Sequence, residues 1–303
     1  MRGKGFVLSD TEGRQLQRLP HHHQVVRRFL GGEEVNHSPT QQPRRYVIDF
    51  NTRTHAQAQQ YAQAYHLVAM RVKPVRERLA SDGINGRHKA QWWQFACPRP
   101  ALRAALKPLS RCLVAPRVTK HLCFVFQPTD RIFSDQLCVF AADDYATFAL
   151  LQSRIHDAWV RRYASTLVKG LRYTPTDCVD TFAHPSGFAR SSPTLASIGE
   201  RLYHARAKLL IARSQGLTKL YNALHDPAQR DSQLVQLRAL HTQLDEAVLS
   251  SYGWHHITVP AYGEGSRDRP PLRDYYQTLV EHLHRLNGVQ AARAQTAYGS
   301  NKK

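Results

Sequence analysis

The stretch Leu113 to Phe126, LVAPRVTKHLCFVF, places Arg117, Thr119, Lys120 and His121 in the middle of an otherwise apolar run. A guanidinium offers a planar fork to paired acceptors and an ammonium offers a mobile charge. Hydroxyl and imidazole groups can give or accept a hydrogen bond. None of these groups gains by burial, so their position marks a surface facing something rich in acceptors. A second group of the same kind, Lys169, Arg172 and Tyr173 in LVKGLRYTPTD, adds the flexible Gly170 and one aromatic ring. For any single member of these groups, a solvated turn charge is the competing reading.

The whole chain carries the same bias. Its 303 residues hold 42 Lys and Arg against 23 Asp and Glu, a net charge of +19 before its 17 histidines are counted. A field of this size attracts polyanions. Residues 1–185 contribute 27 basic and 14 acidic side chains, and residues 186–303 contribute 15 and 9, so the first part is the expected contact surface. A groove of double-stranded nucleic acid suits the Arg117 to His121 group, because arginine and lysine can take guanine O6 and N7 while Thr and His read donors or acceptors on base edges. Arg99, between Pro98 and Pro100, is held on a stiff backbone that suits a phosphate contact and equally a carboxylate.

The elements that must position these residues follow from periodicity. RCLVAPR, HLCFVFQ and QLCVFAA read as strands in close succession, with turns expected at Thr119-Lys120 and at Pro128 to Asp130. If the first two form a hairpin, the turn gathers Arg117, Lys120 and His121 at one end of a sheet. Upstream, GKGFVLS and RRYVIDF read as strands, the latter after a turn at Gly31-Gly32, and residues 55–78 favour helix with Pro74 starting or kinking its last part. Asp143-Asp144 can cap a helix reaching Tyr163, with Phe148, Leu151, Ile155 and Trp159 on one face. Beyond Pro185, three apolar stripes predict helices starting near Pro193-Thr194, after His225-Asp226-Pro227, and at Leu272, the last ending at an Asn287-Gly288 cap.

Catalytic patterns are absent from the sequence. It has no [DE]xK tripeptide, no GxGxxG, no Walker loop, no HExxH and no GxSxG, and none of its six asparagines precedes Pro-Pro. His21-His22-His23 invites a metal, but neighbouring side chains point apart and no acid or thiol lies nearby, so a solvated basic loop is expected. The five cysteines form no CxxC pair and read as buried structural thiols. Their odd number, the lack of an apolar N-terminal segment and the lack of any apolar run near the ~18 residues of a membrane span point to a cytoplasmic protein.

The order of blocks carries a resemblance. GKGFVLS, FLGGEEV, RRYVIDF, RVKPVRER, WWQFACPRPAL, LVAPRVTKH, FSDQLCVFAADDYATFALLQSRIHDAW, LRYTPTDCVDTF, GLTKLYNALHDP and LRALHTQLDEAVLSSYGW, spread over about residues 3–257, resemble the C-terminal half of MmeI-like DNA methyltransferases. These are the type IIL restriction-modification enzymes and their phage-defence relatives. The resemblance implies an α+β fold, with a mixed, β-rich target recognition domain over residues 1–186 and a C-terminal helical bundle over 187–303. It implies sequence-specific recognition of double-stranded DNA for an adenine-N6 methyltransferase. It also places Arg117, Thr119, Lys120, His121, Lys169, Arg172 and Tyr173 in the recognition domain.

In such proteins S-adenosylmethionine and the NPPY-type catalytic motif belong to a methyltransferase domain on the N-terminal side, sometimes preceded by a nuclease. This chain is expected to begin where that domain ends, to carry no catalytic residue and no cofactor of its own, and to work with a methyltransferase domain or subunit as partner. Whether it acts as an enzyme is left open at this point. Trp92, Trp93, Phe95, Phe148 and Trp159 are expected to be framework. The alternative is a protein-interaction module, or the inactive remnant of a split or truncated gene.

Overall fold

A computed structural model describes residues 3–95, 98–167, 170–186, 188, 192–262 and 270–300. The fold is mixed α+β, and the chain divides into two compact units. One comprises Met1–Glu34, Gln42–Cys112 and Gln127–Asp135. The other comprises Val35–Gln41, Leu113–Phe126 and Gln136–Lys303.

The first unit is built on a four-stranded sheet in the order Val7–Leu8, Arg45–Ile48, Val26–Leu30, Ile132–Phe133. The first three strands are antiparallel. The last joins in parallel, with Phe29 opposite Ile132. The Val26–Leu30 strand is not evident in the sequence because two arginines interrupt its apolar pattern. Here Arg28 pairs with Asp10 at 2.8 Å and lies over the Tyr46 ring, while Arg27 donates to the Asp130 carbonyl. Gly31-Gly32 is not a turn, since Gly32 opens the short helix Gly32–His37.

The helix Asp10–Gln17 begins with a reciprocal capping box between Ser9 and Glu12. Its Gly13 lies so close to Tyr46 that a Cβ would stand 2.1 Å from the ring. Further helices, His55–Gln59, Ala62–Arg71 and Lys73–Glu77, follow, with Pro74 in the first turn of the last. Trp92 is buried and Trp93 Nε1 donates to the Arg53 carbonyl, so both act as framework. His22 is also buried, with Nδ1 bonded to the Pro20 carbonyl, and is not part of a solvated loop.

In the second unit, residues 113–116 of the Arg111–Pro116 strand pair antiparallel with Leu137–Phe140. The Val125–Pro128 strand is the other neighbour of Arg111–Pro116 in that sheet. The segment between these neighbours is not a tight hairpin turn. Val118–Thr119 leaves the sheet and becomes the edge of a separate three-stranded sheet with Gly170–Arg172 and Ser165–Leu167.

The helix expected over 144–163 is two helices, Tyr145–Gln152 and Arg154–Tyr163. Ser153 adopts extended backbone between them and caps the second through His156 N. Asp144 caps the first by accepting from Thr147 N at 2.7 Å. Gln152 ties the connecting segment to this pair: Oε1 accepts from Phe124 N and Nε2 donates to the Leu122 carbonyl.

The helices Pro193–Ala212, Leu217–Leu224, Ser232–Ser251 and Leu272–Ser300 complete this unit. The last runs on through Asn287-Gly288 rather than ending there in a cap. Asn287 donates to the Thr181 carbonyl and Gln290 to the His184 carbonyl, which anchors the additional turns. Residues 113–126 and 136–186 belong to the same compact unit as these helices, so the compact units do not part at residue 186. The fully buried Arg206 makes this concrete, donating to the Phe124 carbonyl, to Gln152 Oε1 and to the Tyr221 hydroxyl.

Candidate nucleic-acid interface

The two basic groups read from the sequence meet on one ribbon. Val118 lies opposite Arg172 and Thr119 opposite Leu171, and Tyr173 N donates to the Arg117 carbonyl at 2.7 Å. Exposure alternates along both segments, as period-two backbone requires: Val118, Lys120 and Arg172 face solvent, whereas Thr119, Leu171 and Tyr173 are buried. Val118, 42% exposed, is an apolar side chain beside two cations and was not singled out by sequence reasoning, although alternation through RVTK was the available signal.

Several candidates therefore change role. Tyr173 is not an exposed aromatic. Its ring is fully buried and its hydroxyl meets His156 Nε2 at 3.0 Å. Burial pushes the phenol's pKa well above its ordinary value, so it stays neutral. Thr119 is 5% exposed and donates to the His121 carbonyl, and His121 is 7% exposed with Nε2 on Asn222 Oδ1. In this conformation none of these three side chains offers a face to a groove.

Arg117 is half-buried, and its Nε is buried without an acceptor. Lys120 and Arg172 are exposed, and among the described residues no ion pair or side-chain hydrogen bond engages Arg117, Lys120 or Arg172. Many other arginines are spoken for: Arg14, Arg28, Arg45, Arg71, Arg103, Arg131, Arg154, Arg161 and Arg213 all pair with acids. A ribbon carrying cations with no acid paired to them is a ready contact for phosphates and base edges.

Lys169 lies outside the described residues. Arg99 is exposed in the first unit, with left-handed backbone (φ 49°) at the start of the helix Pro100–Leu106. Phe148 and Trp159 are buried framework. The four described cysteines are buried thiols, and burial pushes Cys112 up to about 12. Among the described residues no group of three or more metal-binding side chains occurs, and no helix is long and apolar enough to cross a membrane.

A family model for the MmeI target recognition domain matches residues 1–186. The chain belongs to the MmeI target recognition domain family. The match contains both halves of the ribbon, residues 117–120 and 170–172. A solved structure of the type IIL restriction-modification enzyme MmeI in complex with DNA shares the fold, with a TM-score of 0.61 at 23% identity. The likeness covers 91% of this chain and 34% of that one, so the chain spans about a third of that enzyme's length. No curated protein matches the chain. For S-adenosylmethionine, the methyl donor of the family resemblance, the sequence provides no glycine-rich strand-to-helix turn and no Asn-Pro-Pro, so no step through it is assigned to these residues.

Proposed function

We propose that this chain reads the sequence of double-stranded DNA for an adenine-N6 methyltransferase of the type IIL restriction-modification class, working in phage defence with a methyltransferase domain or subunit. The observation that carries the reading is the ribbon formed by Val118–Thr119 and Gly170–Arg172, inside the family match, with Lys120, Arg172 and the half-buried Arg117 free of acidic partners among the described residues. The two segments are strands of a three-stranded sheet, and strands of β-sheet readers can enter a groove of DNA. Arg172 and Lys120 would reach base edges or phosphates, while Val118 between them could meet a thymine methyl group. Arg99, an exposed cation of the first unit, is taken by itself as suited to a phosphate. Phosphate contacts supply affinity, groove contacts supply discrimination, and the partner domain extrudes the adenine into its own pocket.

The test is binding of the full chain to a pool of randomised duplex DNA at several salt concentrations, with sequencing of the retained fraction. An enriched motif that survives near-physiological salt supports the reading. Binding that enriches no motif and collapses steeply with salt leaves only counterion release by a basic surface and overturns it.

A further inference from the structure

We infer that Asn222 and His225, in the helical region outside the family match, are positioning residues that set the sequence selectivity of the ribbon without touching DNA. The inference rests on the DNA-reading function proposed above. Lys120 is flanked by two residues whose side chains are both fixed inward. On one side, Thr119 Oγ1 donates to the His121 carbonyl at 2.7 Å and stands 3.2 Å from Asn36 Oδ1. On the other, His121 Nε2 donates to Asn222 Oδ1 at 2.9 Å, and its ring stacks on His225 with centroids 5.0 Å apart and planes 21° from parallel. His225 stacks in turn on Tyr262 at 5.2 Å.

The helix that carries Asn222 is itself seated against backbone. Gly216, immediately before Leu217–Leu224, approaches the His37 backbone so closely that a Cβ would stand 2.4 Å from it. Residues 36–37 and helix 217–224 thus grip the segment from which Lys120 projects. Groove contacts demand placement to a fraction of an ångström, so loosening this grip blurs what the ribbon reads. Cation number, and with it the salt-dependent anchoring, stays the same.

Four variants of the full chain test the inference: Asn222→Leu and His225→Ala remove the bond and the stack, whereas Asn222→Asp keeps an acceptor and His225→Phe keeps a ring. Asn222 is exposed and His225 half-buried, so these side chains can be changed without opening the core. Each variant is compared with wild type by enrichment from the randomised duplex pool, by the slope of log affinity against log salt, and by thermal melting. The expected result is a selectivity loss of about tenfold or more at one or two motif positions in Asn222→Leu and His225→Ala. Salt slope should stay at the wild-type value while melting falls only slightly, because the buried His121 loses a partner, and selectivity should return in Asn222→Asp and His225→Phe. A wild type that enriches a motif which the Leu and Ala variants fully retain overturns the grip alone. So does a loss that the conservative variants fail to restore. A wild type that enriches no motif overturns the DNA reading, and this inference with it.

Discussion

Arg172 stands directly opposite Val118 in an antiparallel pair, although the two are far apart in sequence and belong to separate basic groups. That single register decision turns two loops into one surface. It also divides their members, because the same pairing that turns Arg172 outward turns Leu171 and Tyr173 inward.

Arg172→Ala and Lys120→Ala are expected to weaken DNA binding without lowering stability, since both side chains are exposed and have no ion pair among the described residues. If the truncated side chain neutralises a phosphate, the salt slope falls by about 0.9; if it reads a base, one motif position relaxes by about 1–3 kcal/mol. Filter binding across a salt series, with the motif read by sequencing, measures both. Unchanged affinity, slope and motif in the double variant would remove the ribbon from the interface.

Tyr173→Phe is expected to leave DNA selectivity intact and to lower stability by about 1 kcal/mol. It removes a buried hydrogen bond with His156 and leaves the imidazole unsatisfied there. Denaturant midpoints compared with the wild type give the answer, and a variant that is fully stable but non-selective contradicts the core assignment.

Asp245→Ala is expected to destabilise the chain by about 3–5 kcal/mol, because it strands the buried Arg154 guanidinium. Burial alone would push Arg154 down, and the Asp245 carboxylate outweighs that to keep it charged. Arg154 also donates its backbone N–H to Asp245 at 2.8 Å, so the substitution leaves the first amide of the helix Arg154–Tyr163 without its acceptor as well, while the Ser153 cap remains. Chemical denaturation followed by circular dichroism measures the loss.

Stability is expected to fall in mild acid before the carboxylates protonate. Burial depresses His156 to about 3 and holds His241 well below its ordinary value, so both are neutral in the fold and charge on unfolding. The unfolded chain then binds more protons than the native one below about pH 6.5. The contribution is therefore complete above that pH and is lost as pH falls towards the folded values, at up to about 1.4 kcal/mol per unit for each histidine. Thermal melts from pH 7 to 4.5 report it, and His156→Phe should flatten the profile. A flat wild-type profile would contradict the neutral, buried assignment.

The sequence was informative wherever a pattern is local. The helix start at Asp144 follows from a capping residue and the one near Pro193 from a first-turn proline, each beside an apolar stripe, and the tryptophan pair at 92–93 was legible as framework. It was misleading where a partner distant in the chain supplies what a pattern lacks. The arginines of Val26–Leu30 are satisfied by Asp10 and by the Asp130 carbonyl, which lets a broken apolar run be a strand. The helix through Gly288 is prolonged by carbonyls of residues 181 and 184.

By itself, the sequence determined the charge, the residue types available to meet a ligand, the family and the order of the elements. These depend only on composition and on neighbours a few residues apart. The tertiary structure alone decided which cations share a face, that Tyr173, Thr119 and His121 turn inward, and that Asn222 and His225 hold the segment bearing Lys120. Strand register and ring stacking join residues about 50 to 100 positions apart, and a one-residue slip in that register would reverse every side chain on the ribbon.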